Sequence, residues 1–136
     1  MRMIDHQTAL IYVMVLASAS DSDMTDAELR TIGEIVNFLP VFRGFDAGDL
    51  SAVAADCAKF LDDEDGLDRA LNIVRAALPR KLCETAYALA CDVVAVDGTA
   101  HQEELRMLEM IRHRLDVDRL NAAAIERGAR ARFARI

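Results

Sequence analysis

Tryptophan is absent, aromatic residues make up only 5% of the chain, and β-branched residues form no long run. Strands favour those residue types, so a sheet-based fold has little support. Basic residues are also in the minority. Sixteen Lys and Arg stand against 23 Asp and Glu, a formal charge of −7. Phosphate backbones are bound by clustered cations, which sets nucleic acid aside as a partner. The one basic stretch, Arg127 to Arg135, reads as a frayed helix end whose cations suit the negative pole of the helix dipole.

Cysteine occurs three times, at Cys57, Cys83 and Cys91, without C-x-x-C spacing and inside apolar helical patterns. Buried, reduced thiols in a reducing compartment are the expectation. Cys83 and Cys91 lie too far apart along one expected helix to bridge each other. Long apolar runs are missing too. Ala9 to Ala17 is roughly half the ~20 residues of a membrane-spanning helix. Met1 to His6 does not have the layout of a signal peptide. A soluble, cytoplasmic protein without direct membrane insertion is expected. Nucleophile chemistry lacks its motifs. There is no Gly-x-Ser-x-Gly, no Gly-rich phosphate loop and no Cys with a convincing His partner. The chain is therefore not expected to be an enzyme unless carboxylates hold catalytic metals.

What is present is helical periodicity. Ala, Leu, Glu and Arg dominate the periodic segments, and 136 residues suffice for one domain, 1–136, with a core of its own. About seven helices are expected in an all-α fold. The first runs from about Asp5 to Ser20. The second starts near Thr25, where Thr25 and Glu28 can form a capping box, and ends before Pro40. The third carries Leu50, Val53, Ala54, Cys57, Phe60 and Leu61, and the acid run Asp62 to Asp65 with Gly66 breaks it. The fourth reaches Leu78, and Pro79 opens the fifth, which stops at Gly98. Thr99 with Gln102 can box the sixth helix, and Asp116 can cap the seventh. The middle helices read as a connector between two hairpins.

Those hairpins repeat each other. A shift of 76 positions places Asp21 on Asp97, Glu28 on Glu104, Leu29 on Leu105 and Arg30 on Arg106. Each unit is helix, acidic turn, helix. Asp21 and Asp97 fall at helix C-terminal ends, where a carboxylate is disfavoured, and Glu28 and Glu104 fall in the first turns that follow. A hairpin brings those ends together, and like charges so placed repel unless a cation lies between them. Oxygen ligands of this kind suit a hard divalent cation such as Mg²⁺ or Ca²⁺. The plainer alternative stays open: Glu28 serves as a capping residue, and Asp21, Ser22 and Asp23 are ordinary turn residues. Neither turn is an EF-hand. A loop begun at Asp21 would need Gly at the position of Asp26 and Glu at Ile32, and one with Gly98 sixth would begin at Val93.

Other acids and histidines carry weaker signals. Asp92 interrupts an apolar stretch and reads as a partly exposed flank residue rather than a ligand. His101 with Glu104, and Glu109 with His113, share helix faces, but they lack the second-helix set of a di-iron bundle. His113 is expected to pair with Glu109 at the surface, and Asp62 to Asp65 to form a solvated loop.

The segment from Pro79 to Gly98, followed by Glu104, resembles the tellurite-resistance TerB family, and so does the stretch from Leu10 through Glu28. The shared elements are an apolar helix, Asp-Gly or Asp-x, and a Glu seven residues after the Asp. The resemblance implies an all-helical fold of about seven helices with acids gathered on one side. It implies divalent metal binding through Asp21, Glu28, Asp97 and Glu104, and a role in bacterial stress response beside protein partners, membrane-associated ones among them. The family glycine is missing at Ser22, where Asp23 can supply another oxygen, so equal affinity of the two turns is in doubt. A metal-free helical scaffold for protein partners is the rival expectation. Homo-oligomerisation and the inducing stress are left open.

Overall fold

The computed structural model describes residues 3–18, 25–96 and 101–136. Among them are seven α-helices and no strand: α1 (His6–Ser18), α2 (Asp26–Phe38), α3 (Leu50–Phe60), α4 (Gly66–Ala77), α5 (Cys83–Ala95), α6 (Gln102–Arg114) and α7 (Arg119–Arg132). Three short 3₁₀ turns, Pro40–Phe42, Ala47–Asp49 and Arg80–Leu82, join them. The all-α expectation therefore holds.

The apolar run of α1 fixes the architecture. Every residue from Ala9 to Ser18 is buried, so no face of this stretch of the helix meets water. A helix that is apolar all round must be covered on all sides. The packing supplies this, with α2, α3, α4, α5 and α6 all against α1. The middle helices are thus more than a connector. Cys57 of α3 and Ala70, Leu71 and Val74 of α4 are fully buried in the same core. The Cys57 thiol donates to the Tyr12 carbonyl across 3.6 Å. Phe60 meets Tyr12 edge-on at 6.2 Å between ring centres.

Helix ends follow local chemistry. In α2, the Glu28 N–H donates to Thr25 Oγ1 at 3.1 Å while Glu28 Oε1 accepts from the Thr25 N–H at 2.9 Å. Leu39, preceding Pro40, is extended and closes the helix. Gly66 opens α4 where a side chain has no room: a Cβ there would lie 1.4 Å from the Phe60 carbonyl oxygen. Pro79 precedes a 3₁₀ turn, and the α-helical part of the fifth helix begins only at Cys83.

One cap expectation needs correction. Asp116 does not cap α7; Asp118 does, accepting from the Asn121 N–H at 2.8 Å. Asp116 adopts φ 55° just beyond α6. Its N–H bonds the His113 carbonyl, and the Val117 N–H bonds the Arg112 carbonyl, both at 3.1 Å. That pair is a Schellman closure, which needs a left-handed residue at this place. Aspartate tolerates the conformation better than most side chains. At the start of α6, His101 is the N-cap and Glu104 Oε1 accepts from its N–H at 3.0 Å. The helix begins at Gln102, and the box expected of Thr99 with Gln102 lies outside the described residues because Thr99 does.

Candidate functional site

The four carboxylates expected to form the acidic sites divide evenly. Asp21 and Asp97 lie outside the described residues, beyond the ends of α1 and α5. Glu28 and Glu104 are both described and equivalently held. Each is the third residue of its helix and half-buried, and each turns its Oε1 back to the N–H of the N-cap residue. The distances are 2.9 Å to Thr25 and 3.0 Å to His101. Glu28 Oε1 also accepts from the Thr25 hydroxyl at 3.0 Å. Anionic side chains in a first helical turn are favoured by the dipole. A carboxylate offers about four acceptor directions on two oxygens, so one box leaves capacity unused. Neither Oε2 makes a hydrogen bond among the described residues. Asp23, the expected extra oxygen, is also outside them.

Among the described residues no three His, Cys, Asp or Glu side chains gather as a metal would require. The remaining acids and histidines are accounted for by pairing or solvent. Asp92 is partly exposed, as expected of a flank residue, and receives Arg132 Nη2 at 2.5 Å. His113 stands 3.9 Å from Glu109, both exposed, as expected. In the acid run, Asp63 and Asp65 hold Arg69 at 2.7 and 3.5 Å on the surface. Arg69 also lies over the Phe60 ring, 5.5 Å from its centre.

The basic end of the chain is not frayed. Four contacts run in step along α5 and α7. Asn121 Nδ2 donates to Glu84 at 2.7 Å and the Tyr87 hydroxyl to Glu126 at 2.5 Å. Arg132 reaches Asp92, and Arg135 Nη2 donates to the Val96 carbonyl at 2.7 Å. Both helices therefore run in the same direction. Arg80, just before α5, meets Asp116, just after α6, at 3.3 Å, so α6 runs the other way.

Between these three helices lies a cavity of about 790 Å³. Its floor is the α5 stripe Tyr87, Cys91, Val94 and Ala95, at i, i+4, i+7 and i+8. Leu105, Leu108, Phe133 and Arg135 line the end nearest the α5 C-terminus, while Glu109, Arg112, Glu126 and Arg130 line the rest. Burial, followed by the bond to Glu126, raises the Tyr87 phenol well above its usual range, so it remains a donor. Burial likewise pushes the Cys91 thiol up to about 12, with Glu126 and Asp92 adding to the effect. A thiol so shifted is not a thiolate at neutral pH and is a poor nucleophile. All three cysteines are buried. The sequence reading missed this cavity. Its three stripes are individually ordinary amphipathic faces, and only the tertiary arrangement brings them together.

No helix among the described residues is long and apolar enough to cross a membrane. Neither a curated protein nor a solved structure matches the chain. Residues 7–127 do match one family model, described as Tellurite resistance protein TerB. That stretch includes α1 to α6 and both segments that carry the repeated Asp and Glu, and it covers far more than half of the sequence. The chain belongs to the TerB family.

Proposed function

We propose that this TerB-family protein acts in a tellurite-resistance or related stress response by binding or sensing a divalent cation at its acidic turns. Asp21 with Glu28, and Asp97 with Glu104, would supply the oxygens, and a hard cation of the Mg²⁺ or Ca²⁺ type suits that donor set. The observation that carries the reading is the matched pair Glu28 and Glu104. Two helices present the same carboxylate at the same position, anchored through one oxygen, with the second oxygen unbonded among the described residues. Such anchoring holds a ligand in place before the cation arrives, which lowers the ordering cost of binding.

Melting temperature followed during titration with Mg²⁺, Ca²⁺, Mn²⁺ and Zn²⁺ tests this, because a ligand selective for the folded state must raise it. A rise with one of these cations, abolished by Asp21→Asn together with Asp97→Asn, is expected. No rise with any cation, or an equal rise in the double variant, would overturn the proposal.

A second reading, a metal-free scaffold for protein partners, is favoured by the capping boxes themselves, which give Glu28 and Glu104 a complete structural role without a cation. Partners retained through a chelator wash and through the same double substitution would favour the scaffold.

A further inference from the structure

Helix α7 is held differently at its two ends. Just before it, Val117 is buried, its N–H bonds the Arg112 carbonyl at 3.1 Å and its carbonyl accepts from Arg112 Nη1 at 3.3 Å. Asp118 then caps the helix, and the Tyr87–Glu126 bond ties its middle to α5. Past Gly128 the attachment changes. Of residues 129–136 only Ala129 is buried, and an alanine side chain removes little apolar area from water. The remaining ties are polar and lie at the surface. Arg132 meets Asp92 at 2.5 Å and Arg135 meets the Val96 carbonyl at 2.7 Å, with both arginines exposed. Ties of this kind hold weakly, and the ion pair weakens further in salt. Gly128 separates the two halves. Glycine is a weak point inside a helix, because it gains the most backbone freedom when the helix opens.

The weakly held half also covers something. Ala129, Arg130, Phe133 and Arg135 line the cavity beside the floor residues Cys91, Val94 and Ala95. Cys91 lines that cavity and is nevertheless only 4% exposed. We propose that residues 129–135 form a latched strap, which swings off α5 at Gly128 while the rest of the fold stays closed and so uncovers Cys91 and the C-terminal part of the α5 floor. Arg132 is the latch. Its partner Asp92 adjoins Cys91 in sequence, so the strap cannot leave the thiol without breaking that pair. Segments with few buried apolar contacts and surface hydrogen bonds open at lower free energy than the whole fold. Charge, rather than close packing, therefore gates access to the cavity floor. The strap lies beyond residue 127, where the family match ends, and is independent of the cation chemistry of the acidic turns.

Iodoacetamide labelling of the full chain in native buffer, read cysteine by cysteine by mass spectrometry, tests the strap. Cys57, buried in the core on α3, reports global unfolding. Cys91 should label faster than Cys57 by on the order of a hundredfold or more. Its rate should barely depend on urea, because opening a few residues exposes little surface, whereas Cys57 should follow the full denaturant slope. Arg132→Gln, at an exposed side chain, should raise the Cys91 rate about fivefold. Raising NaCl from about 0.05 M to about 1 M should accelerate Cys91 in the native chain and have little effect in that variant. Amide exchange should be fast and urea-independent past Gly128 and remain protected from Ala122 to Glu126. Three results would overturn the proposal. Equal urea slopes for Cys91 and Cys57 would mean that only global unfolding frees the thiol. A fast Cys91 rate unchanged by Arg132→Gln and by salt would mean that the reagent enters through the cavity with the strap in place. Uniform amide exchange along α7 would mean that the helix leaves as a whole, with no break at Gly128.

Discussion

Replacing Glu28 and Glu104 by glutamine separates the two roles that compete for the same side chains. Glutamine keeps an acceptor oxygen for the N-cap N–H, so the boxes at 2.9 and 3.0 Å survive, while the charge needed by a hard cation is removed. Without cation, each Glu→Gln substitution should cost only its interaction with the helix dipole, about 0.3–1 kcal/mol. Each Glu→Ala substitution also removes a box and should cost about 1 kcal/mol more. With cation at a hundred times its dissociation constant, the native chain should gain about 2.7 kcal/mol, and the double glutamine variant should gain almost none. Urea unfolding followed by far-UV circular dichroism measures both quantities, with and without chelator. Two results would refute the reasoning. If glutamine destabilised the cation-free protein as much as alanine, the cap would not depend on the acceptor oxygen. If the glutamine variant kept the full cation-dependent gain, Glu28 and Glu104 would not be ligands.

Three further outcomes are expected. Gly66→Ala should destabilise the fold by about 3 kcal/mol or more, because a Cβ 1.4 Å from the Phe60 carbonyl forces the backbone of the α3–α4 turn to move. Gly44→Ala, with φ 88° and open space around it, should cost only about 1 kcal/mol, and equal costs in chemical denaturation would contradict the steric account. Tyr87→Phe removes the donor to half-buried Glu126 and should cost about 1–2 kcal/mol, with Glu126→Gln adding little in the Tyr87→Phe background; additive losses in the cycle would show that the two side chains do not act as a pair. Asp5 accepts from the Thr8 N–H at 2.8 Å, and that bond lowers its carboxyl pKa below 3.8. A depressed folded-state pKa contributes stability that is present above the unfolded value and lost as pH falls through the lowered one. Asp5→Asn should therefore flatten part of the acid limb below about pH 4, and an unchanged limb would remove Asp5 from its causes.

The helices were legible because their signals are local. Thr25 and Glu28, Pro40, and the apolar stripes of α2 and α3 each report on a few neighbouring residues, and the structure places those elements as expected. The α6–α7 junction was misread for a related reason. Asp116 and Asp118 are both good cap residues, and only the left-handed backbone at Asp116 decides between them. Nor could periodicity disclose that α7 runs alongside α5. That fact rests on pairs such as Glu84 with Asn121 and Asp92 with Arg132, which are 37 and 40 positions apart. The basic tail looked like a solvated helix end for the same reason, although Arg132 and Arg135 clamp it to α5.

The acidic repeat is better defined for knowing what its glutamates already do. Capping uses Oε1 of each glutamate, and the proposed cation would draw on the other oxygen, so one role does not exclude the other. The two would nevertheless be coupled. A cation drawing on the free oxygen would withdraw charge from the capped one and weaken its hold on the N-cap N–H. Binding would then change the stability of the first turns of α2 and α6 as well as the turns before them. Both helices pack on α1, which is buried from Ala9 to Ser18 at the centre of the fold. If a cation binds there, its effect on the first turns of α2 and α6 would fall on helices that pack directly on α1, the contact a sensing role would need and a simple solubilising cap would not.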